Sequence, residues 1–467
     1  MKKQNIFLPI GILFFLVIFS SCEKFLTETS TNDVANGDMF TDLASLESAR
    51  IGMYNTLQNQ YYYGGYYPMI ADAYSDNGAT GGYDNADLDE IGLKALTASN
   101  IYVENCWIAV YNTIYSANQI ILNIDGIDDP LLSDELRNDI KGEALTIRAM
   151  AHFDALRLWG EHWDITSAFG IPVVTTLLTP DAAAIPRSTV AETYNAIVID
   201  LTSSMSFISN DDLRFDPPAF KGAQFITKTA NQALLARVMQ YKGDHAMAKL
   251  YADTVINSGF ASVMNEGSFP EIYSAKYTPE AIFELDFNVQ DKSQYNALTF
   301  ARPDALRSEV SFLVAEDLKT FYESRPGDAR FALVDFVNND VSIEPDGRTQ
   351  KYRGEIFQDN SAYIIRISEM YLIRAEANGF GGAGSADINF IRSNRGLSDV
   401  MIGSEEEFMQ MLLDERRSEL NFEGHRYFDL AHFGLVSEIL GEEVFPCLPI
   451  PARELGANSA LEQYPGY

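Results

Sequence analysis

The chain is short of tryptophan, with three, of cysteine, with three, and of histidine, with five, and its 34 Lys and Arg are outnumbered by 66 Asp and Glu. Each shortage excludes something. Once Cys22 is assigned to the leader described below, only Cys106 and Cys447 remain in 467 residues, too few for a disulfide framework. One bridge between them and two buried thiols both fit. The histidines, His152, His162, His245, His425 and His432, form no HExxH, and none has a Cys or a second His at zinc-ligand spacing. No metal and no cofactor is expected. The net charge of -32 and the pI near 4.4 work against nucleic acid, whose affinity comes from Lys and Arg neutralising phosphates. Anionic membrane surfaces are disfavoured for the same reason.

Catalytic signatures are scarce too. There is no GxSxG nucleophile elbow. A literal GxGxxG at Gly379, Gly381 and Gly384 follows a helical pattern ending at Asn378 rather than a strand, and reads as an inter-helix loop. Asp84, Asp87, Asp89 and Glu90 could gather a calcium ion but lack the Gly and the spaced Glu of an EF-hand loop. A glycosidase would need two carboxylates across a cleft at a defined separation, and no such pair stands out. The expectation is a protein that is not an enzyme.

What is present begins with a leader. Lys2 and Lys3 precede an apolar stretch from Ile6 to Phe19, then Ser20, Ser21 and Cys22. This is an export signal, with an apolar run short of the ~20 residues a spanning helix needs. Ending on cysteine, it looks like a lipoprotein signal over residues 1–21, with Cys22 as the acylated anchor. The mature chain then holds 32 basic against 66 acidic residues, or -34.

Beyond the leader, 46% hydrophobic residues allow a large core. The spacing predicts a helix from Ser133 to Trp159, with Ala144, Ile147, Ala151, Ala155 and Leu158 on one face and Gly160 as its stop. Thr189 and Glu192 form a capping box. Helices from Thr227 to Tyr241 and from Asp244 to Ser258 flank the turn Lys242-Gly243, with Gly259 as a C-cap. Another pair is predicted from Tyr363 to Asn378 and from Ala386 to Asn394, and a further helix from Glu405 to Phe422. Ala281 to Phe287 reads as a short strand. The fold class is mostly α: tetratricopeptide-like helix pairs, long irregular loops and a few short strands. No Pro/Ser-rich linker divides the chain, so residues 22–467 read as one domain.

One segment differs chemically. The 43 residues between Arg50 and Lys94 contain no Lys or Arg, but hold eight of the 24 tyrosines together with clustered Gly, Asp and Asn. Tyr beside Gly predicts an irregular surface that displays flat rings and hydroxyls. A sugar suits such a surface, its C–H face on a ring and its hydroxyls on carboxylate and amide groups. Tyr66, Tyr67, Asp76, Asn77, Tyr83 and Asp84 are the candidate contacts, and Tyr295 and Arg302 form a second group beyond the predicted strand. A Tyr-rich loop packed on the protein's own surface fits the same composition.

The C-terminal third carries a resemblance. Glu415-Arg416-Arg417-Ser418-Glu419-Leu420, followed by Asn421 to Leu430 (NFEGHRYFDL), resembles the signature of the SusD/RagB family. So do Leu448 to Leu455 (LPIPAREL), the closing Tyr464-Pro465-Gly466-Tyr467, Tyr363 to Ala377, Gly142 to Leu158, and the mature start Cys22-Glu23-Lys24-Phe25-Leu26. Arg366, Glu369, Arg374, Glu376, Arg416, Arg417 and Glu419 read as charged locks between helices rather than as ligand contacts. The resemblance implies a tetratricopeptide-like scaffold and a lipid anchor at a Bacteroidetes outer membrane, facing the cell surface. It also implies capture of glycan for a partner, a SusC-like TonB-dependent β-barrel, with the membrane reached through the lipid alone. Peptide capture lies within the family's range as an alternative, and a lipid-anchored glycosidase is the remaining rival.

Overall fold

The computed structural model describes residues 40–80, 85–178, 184–211, 222–295, 311–335, 347–352 and 359–467. The leader, Cys22, Tyr83, Asp84 and Arg302 lie outside the described residues. The elements, in chain order, are helices α1 (Leu43–Leu57) and α2 (Tyr66–Ala73), strand β1 (Gly78–Thr80), and helices α3 (Ala86–Gly92), α4 (Ile101–Asn123), α5 (Asp134–Trp159) and α6 (Val190–Phe207). Helices α7 (Lys228–Tyr241) and α8 (His245–Ser258), strands β2 (Ala281–Leu285) and β3 (Phe312–Val314), helix α9 (Glu316–Glu323), and strands β4 (Val334–Asp335), β5 (Arg348–Thr349) and β6 (Ala362–Arg366) follow. The chain ends through α10 (Ile367–Asn378), α11 (Gly382–Ser393), α12 (Glu405–Leu420), α13 (Arg426–His432), α14 (Val436–Leu440) and α15 (Ala452–Ala457).

Local chemistry accounts for the helix ends. Ser133 accepts from the Leu136 N–H and starts α5, while Thr189 and Glu192 close a reciprocal capping box at the start of α6. Gly243, at φ +78°, makes the tight turn between α7 and α8, and Gly259, at φ +70°, ends α8 in the left-handed conformation that a Cβ disfavours. Consecutive helices pack as antiparallel pairs, α4 on α5, α5 on α6, α7 on α8 and α10 on α11, which is the tetratricopeptide-like arrangement. α5 is the central member, with nearly every residue from Asp139 to Trp159 buried. A continuous apolar core runs from Leu46 to Ile450, and a second cluster forms where α10, α11 and α12 meet.

Among the described residues, three two-stranded antiparallel sheets decorate the helices: β1–β3, β2–β6 and β4–β5. The β2–β6 pair corrects one expectation. The predicted helix from Tyr363 starts as strand Ala362–Arg366, paired with Ala281–Leu285, and turns helical only at Ile367. Ile364 and Ile365 suit a pleated strand, and a partner about 80 residues earlier in the chain decides the matter. The proline-rich tail follows the scaffold, with the Leu448 N–H donating to Leu158 O (2.7 Å) and the Ala452 N–H to Ala98 O (2.7 Å). It is not wholly extended, since Pro451 caps the short α15. Cys106 and Cys447 are both free and buried.

The charged motif residues lock the helices together. Arg366 is hydrogen-bonded to Glu280 (2.9 Å), Glu419 (2.9 Å) and Glu423 (2.8 Å). Arg395 reaches the same Glu280 (2.7 Å) and Glu419 (2.8 Å). Glu369 pairs with Arg237 on α7, and Arg416 grips Asp429 on α13 through two bonds of 2.9 and 2.7 Å. Arg374 joins Asp387 to Asp253, and Glu376 takes His432. Buried ions on this scale persist only when each is paired and hydrogen-bonded.

Candidate functional site

The tyrosine-rich segment divides into an inside and an outside. Inside, Tyr62, Tyr63 and Tyr67 all donate their hydroxyls to one carboxylate, Asp154 of α5, at 2.5, 2.8 and 2.8 Å. Arg157, one helical turn on, pairs with that carboxylate at 2.5 Å and donates to the Tyr67 hydroxyl at 2.6 Å. Against the expectation of a ligand contact, Tyr67 is a core residue, with 1% exposure and its hydroxyl committed. The segment is also more regular than its composition predicts, because residues 66–73 form α2.

Other candidates are likewise corrected. Asn77 is fully buried; its amide donates to Asp72 (2.9 Å) and its carbonyl accepts from Arg417 (2.9 Å). Asp76 is gripped by Arg426 through bonds of 2.7 and 2.8 Å. Burial opposes its ionisation, but Arg426 and Arg417 outweigh that and hold its carboxyl below the usual range. Tyr295 is buried too, stacked on Tyr352 with centroids 3.9 Å apart and its hydroxyl donated to Tyr63 O at 2.5 Å. These groups fasten loops to the scaffold. The acidic cluster around α3 has similar duties: Asp87 accepts from the Ile101 N–H and Glu90 from Thr97 and Asn100. Among the described residues no group of His, Cys, Asp or Glu is placed to hold a metal ion.

Outside, a half-buried aromatic shelf remains. Tyr61 stacks on Tyr66, with centroids 5.3 Å apart and planes at 18°, and Tyr66 lies against Tyr102 at 4.7 Å and 32°. Phe312 meets Tyr66 edge-on at 6.0 Å. Burial raises the Tyr66 hydroxyl above its ordinary range and the neighbouring Tyr102 adds to that, so both hydroxyls stay neutral donors and acceptors. Asn85 Nδ2 donates to the Tyr102 hydroxyl at 3.0 Å.

The four rings of the shelf come from four separate stretches of chain. Tyr61 lies in the turn after α1, with the Cys106 thiol donating to its carbonyl at 2.9 Å. Tyr66 opens α2. Tyr102 stands in the first turn of α4, whose cap Asn100 accepts from the Tyr102 N–H, and Asn85 caps α3. Pairing of Thr80 with Phe312 sets the fourth edge. Gly78 permits that strand to lie close, since a Cβ there would fall 2.8 Å from Ala73 Cα. Tyr102 and Phe312 escaped sequence reasoning, because one belongs to an ordinary helix start and the other to a three-residue strand more than 200 residues away.

Comparison with known proteins fits this architecture. A family described as SusD-like, starch-binding associating with outer membrane, matches residues 24–240, and the SusD family itself matches residues 336–443. The chain belongs to the SusD/RagB family. A SusD-like protein of Formosa agariphila is 25% identical over 99% of this chain and 98% of its own. Among solved structures, a SusD superfamily protein from Bacteroides thetaiotaomicron superposes with a TM-score of 0.79 at 24% identity, covering 91% of this chain and all of that one. A laminarin binding SusD-like protein superposes at 0.75 and 20% identity, over 92% of this chain and 100% of that one. The SusD fold is therefore present across nearly the whole length, and the family is one of carbohydrate-binding, outer-membrane-associated proteins. No helix among the described residues is long and apolar enough to cross a membrane.

Proposed function

We propose that this SusD-like chain is a non-catalytic glycan-binding protein, lipid-anchored through Cys22 to the outer membrane and facing the cell surface. It captures oligosaccharide or polysaccharide and hands it to a SusC-like TonB-dependent β-barrel. The reading treats residues 22–467 as one domain, with the membrane reached only through the acyl chains. One observation carries it: Tyr61, Tyr66 and Tyr102 form a half-buried stack edged by the Asn85 amide. A pyranose ring can lie its C–H face on such a stack while its hydroxyls exchange hydrogen bonds with tyrosine and asparagine. Tyr83 and Asp84, which immediately precede Asn85, and Arg302 complete the proposed contact set. The family's description as starch-binding and the neighbour that binds laminarin support a glucan-type ligand.

Native affinity gels containing soluble starch, laminarin or other neutral polysaccharides test the reading. Retardation of the wild-type protein is expected in at least one gel. It should be lost in Tyr66→Ala and Tyr102→Ala, each removing a ring contact of ~0.5–1.5 kcal/mol, and kept in Tyr67→Phe. Free migration through the whole panel, with calorimetric heat from peptide mixtures instead, would sink the glycan reading. Release of reducing sugar by purified protein would sink the non-catalytic part.

A further inference from the structure

Away from the shelf, a groove of about 320 Å³ runs along α1. That volume lies at the lower end of the ~300–1,000 Å³ typical of small-ligand sites. One wall is α1 itself, through Ile51, Tyr54 and Gln58; the other is Phe225 with Leu285 at the end of β2. Its chemistry has two sides. The apolar side includes Ile51, 68% exposed on a helix whose other face is packed, and Phe225, set edge-on to Tyr54 at 5.6 Å. Arg50 lies over the Phe225 ring at 5.0 Å. Its guanidinium is neutralised by two bonds to Glu143, of 2.7 and 2.6 Å, so it steadies the ring without offering a free charge.

The polar side accepts hydrogen bonds. Gln224 lines the groove, with its Oε1 beneath the surface and shut off from solvent. Glu47 and Asp286 add carboxylate oxygens at the rim, but Glu47 is offset by Arg50 (3.3 Å) and Asp286 by Lys276 (2.7 Å). An occupant should therefore be neutral, carry several O–H donors, and have one apolar face. Among the described residues that line it, phosphate, sulfate and carboxylate groups meet no free cation.

We propose that this groove is a second carbohydrate subsite, holding a single neutral pyranose unit with its C–H face against Phe225 and Ile51 and its hydroxyls donating to the rim carboxylates of Glu47 and Asp286. The choice of a sugar rests on the glycan-binding reading above, whereas the groove shares no residue with the shelf. The two are joined covalently, because α1 ends beside Gln58 and the chain turns at once into Tyr61.

The Ile51 methyl reports directly on occupancy. In the mature protein with ¹³C-labelled isoleucine methyl groups, Ile51→Val identifies the resonance. Glucose, galactose, mannose, xylose, maltotriose and laminaritriose are then titrated in turn. At least one should shift the Ile51 signal saturably, with affinity about tenfold weaker in Phe225→Ala, the scale of one lost ring contact, and unchanged in Tyr102→Ala. Glu47→Ala removes a rim carboxylate at a partly exposed position and should weaken the shift as well, which covers the case of a poorly folded Phe225 variant. A silent Ile51 across the panel, or a shift undiminished in both groove variants, overturns the proposal. If the gels show shelf-dependent binding while Ile51 stays silent, the groove alone falls. If Ile51 responds while no gel retards the protein, the shelf reading falls and the groove stands.

Discussion

Asp154 is the residue on which the tyrosine segment turns. It is fully buried, accepts three tyrosine hydroxyls and faces Arg157, whose remaining nitrogens lie among the rings of Phe153 (4.7 Å), Phe428 (4.6 Å) and Tyr241 (5.6 Å) instead of hydrogen-bond partners. A guanidinium over ring faces recovers part of its lost solvation, but the carboxylate supplies the balancing charge. Asp154→Ala would strand one buried cation and three hydroxyls. The expected loss is ~3–5 kcal/mol, read as a lower midpoint in urea denaturation. Tyr67→Phe removes one bond to the same carboxylate and one from Arg157, which keeps its pairing with Asp154, and should cost only ~1–2 kcal/mol, with glycan binding intact. Equal losses in the two variants would mean that Asp154 is not the hub. The composition of residues 51–93 shows many rings and hydroxyls but cannot show that a carboxylate about 90 residues later in the chain collects three of them. By composition Tyr67, Asn77 and Tyr295 look like surface contacts, yet each is spoken for in the interior.

At the scale of elements, what depends on neighbours a few residues apart was legible. α5, α7, α8 and α12 begin and end within a few residues of where caps and apolar stripes put them, and α6 begins at its capping box, since these signals lie inside the element. Thr189 shows how local the information is: its hydroxyl accepts from the Glu192 N–H (3.1 Å) while the Glu192 carboxylate accepts from the Thr189 N–H (2.9 Å). Thr189→Ala should cost ~1 kcal/mol, seen as a lower thermal midpoint with no change in glycan retardation. The strand at Ala362–Arg366 and the short strand carrying Phe312 were not legible. Their partners lie about 80 and more than 230 residues away, and a three-residue strand has no periodicity to detect. The four rings of the shelf come from four separate stretches of chain, which is why only Tyr66 among them stands out in the sequence.

Across the whole molecule, the surplus of acid shapes how stability varies with pH, and the buried carboxyls fall into two opposed classes. Burial resists ionisation of Glu419, yet Arg395, Arg366 and Arg330 outweigh it and hold the group well below its ordinary range; Arg366 and Lys351 do the same for Glu423. Stabilisation from these pairs is fully present above the unfolded value of 4.5 and is lost as pH falls through the lower folded values. Glu284 and Asp72 lack a comparable cation, and burial pushes them up, from 4.5 to about 7 and from 3.8 to about 6. Here the native state keeps protons that the unfolded chain has released. Stability therefore falls as pH rises through that window and levels off above it. The sum is a maximum in mildly acidic solution, with an acid limb set by the arginine-bound glutamates and a neutral limb set by Glu284 and Asp72. Glu284→Gln separates the two. Glu284 accepts a bond of 3.1 Å from the Tyr277 N–H, which an amide oxygen can also take, and Gln carries no charge to bury. Urea denaturation of dilute protein between pH 5 and 8 should give a flatter profile for this variant, gaining up to ~3 kcal/mol on wild type at the neutral end and nothing at the acidic end. Parallel profiles would mean that Glu284 is already ionised in the native core, and that the decline at neutral pH comes instead from repulsion among the 66 acidic side chains.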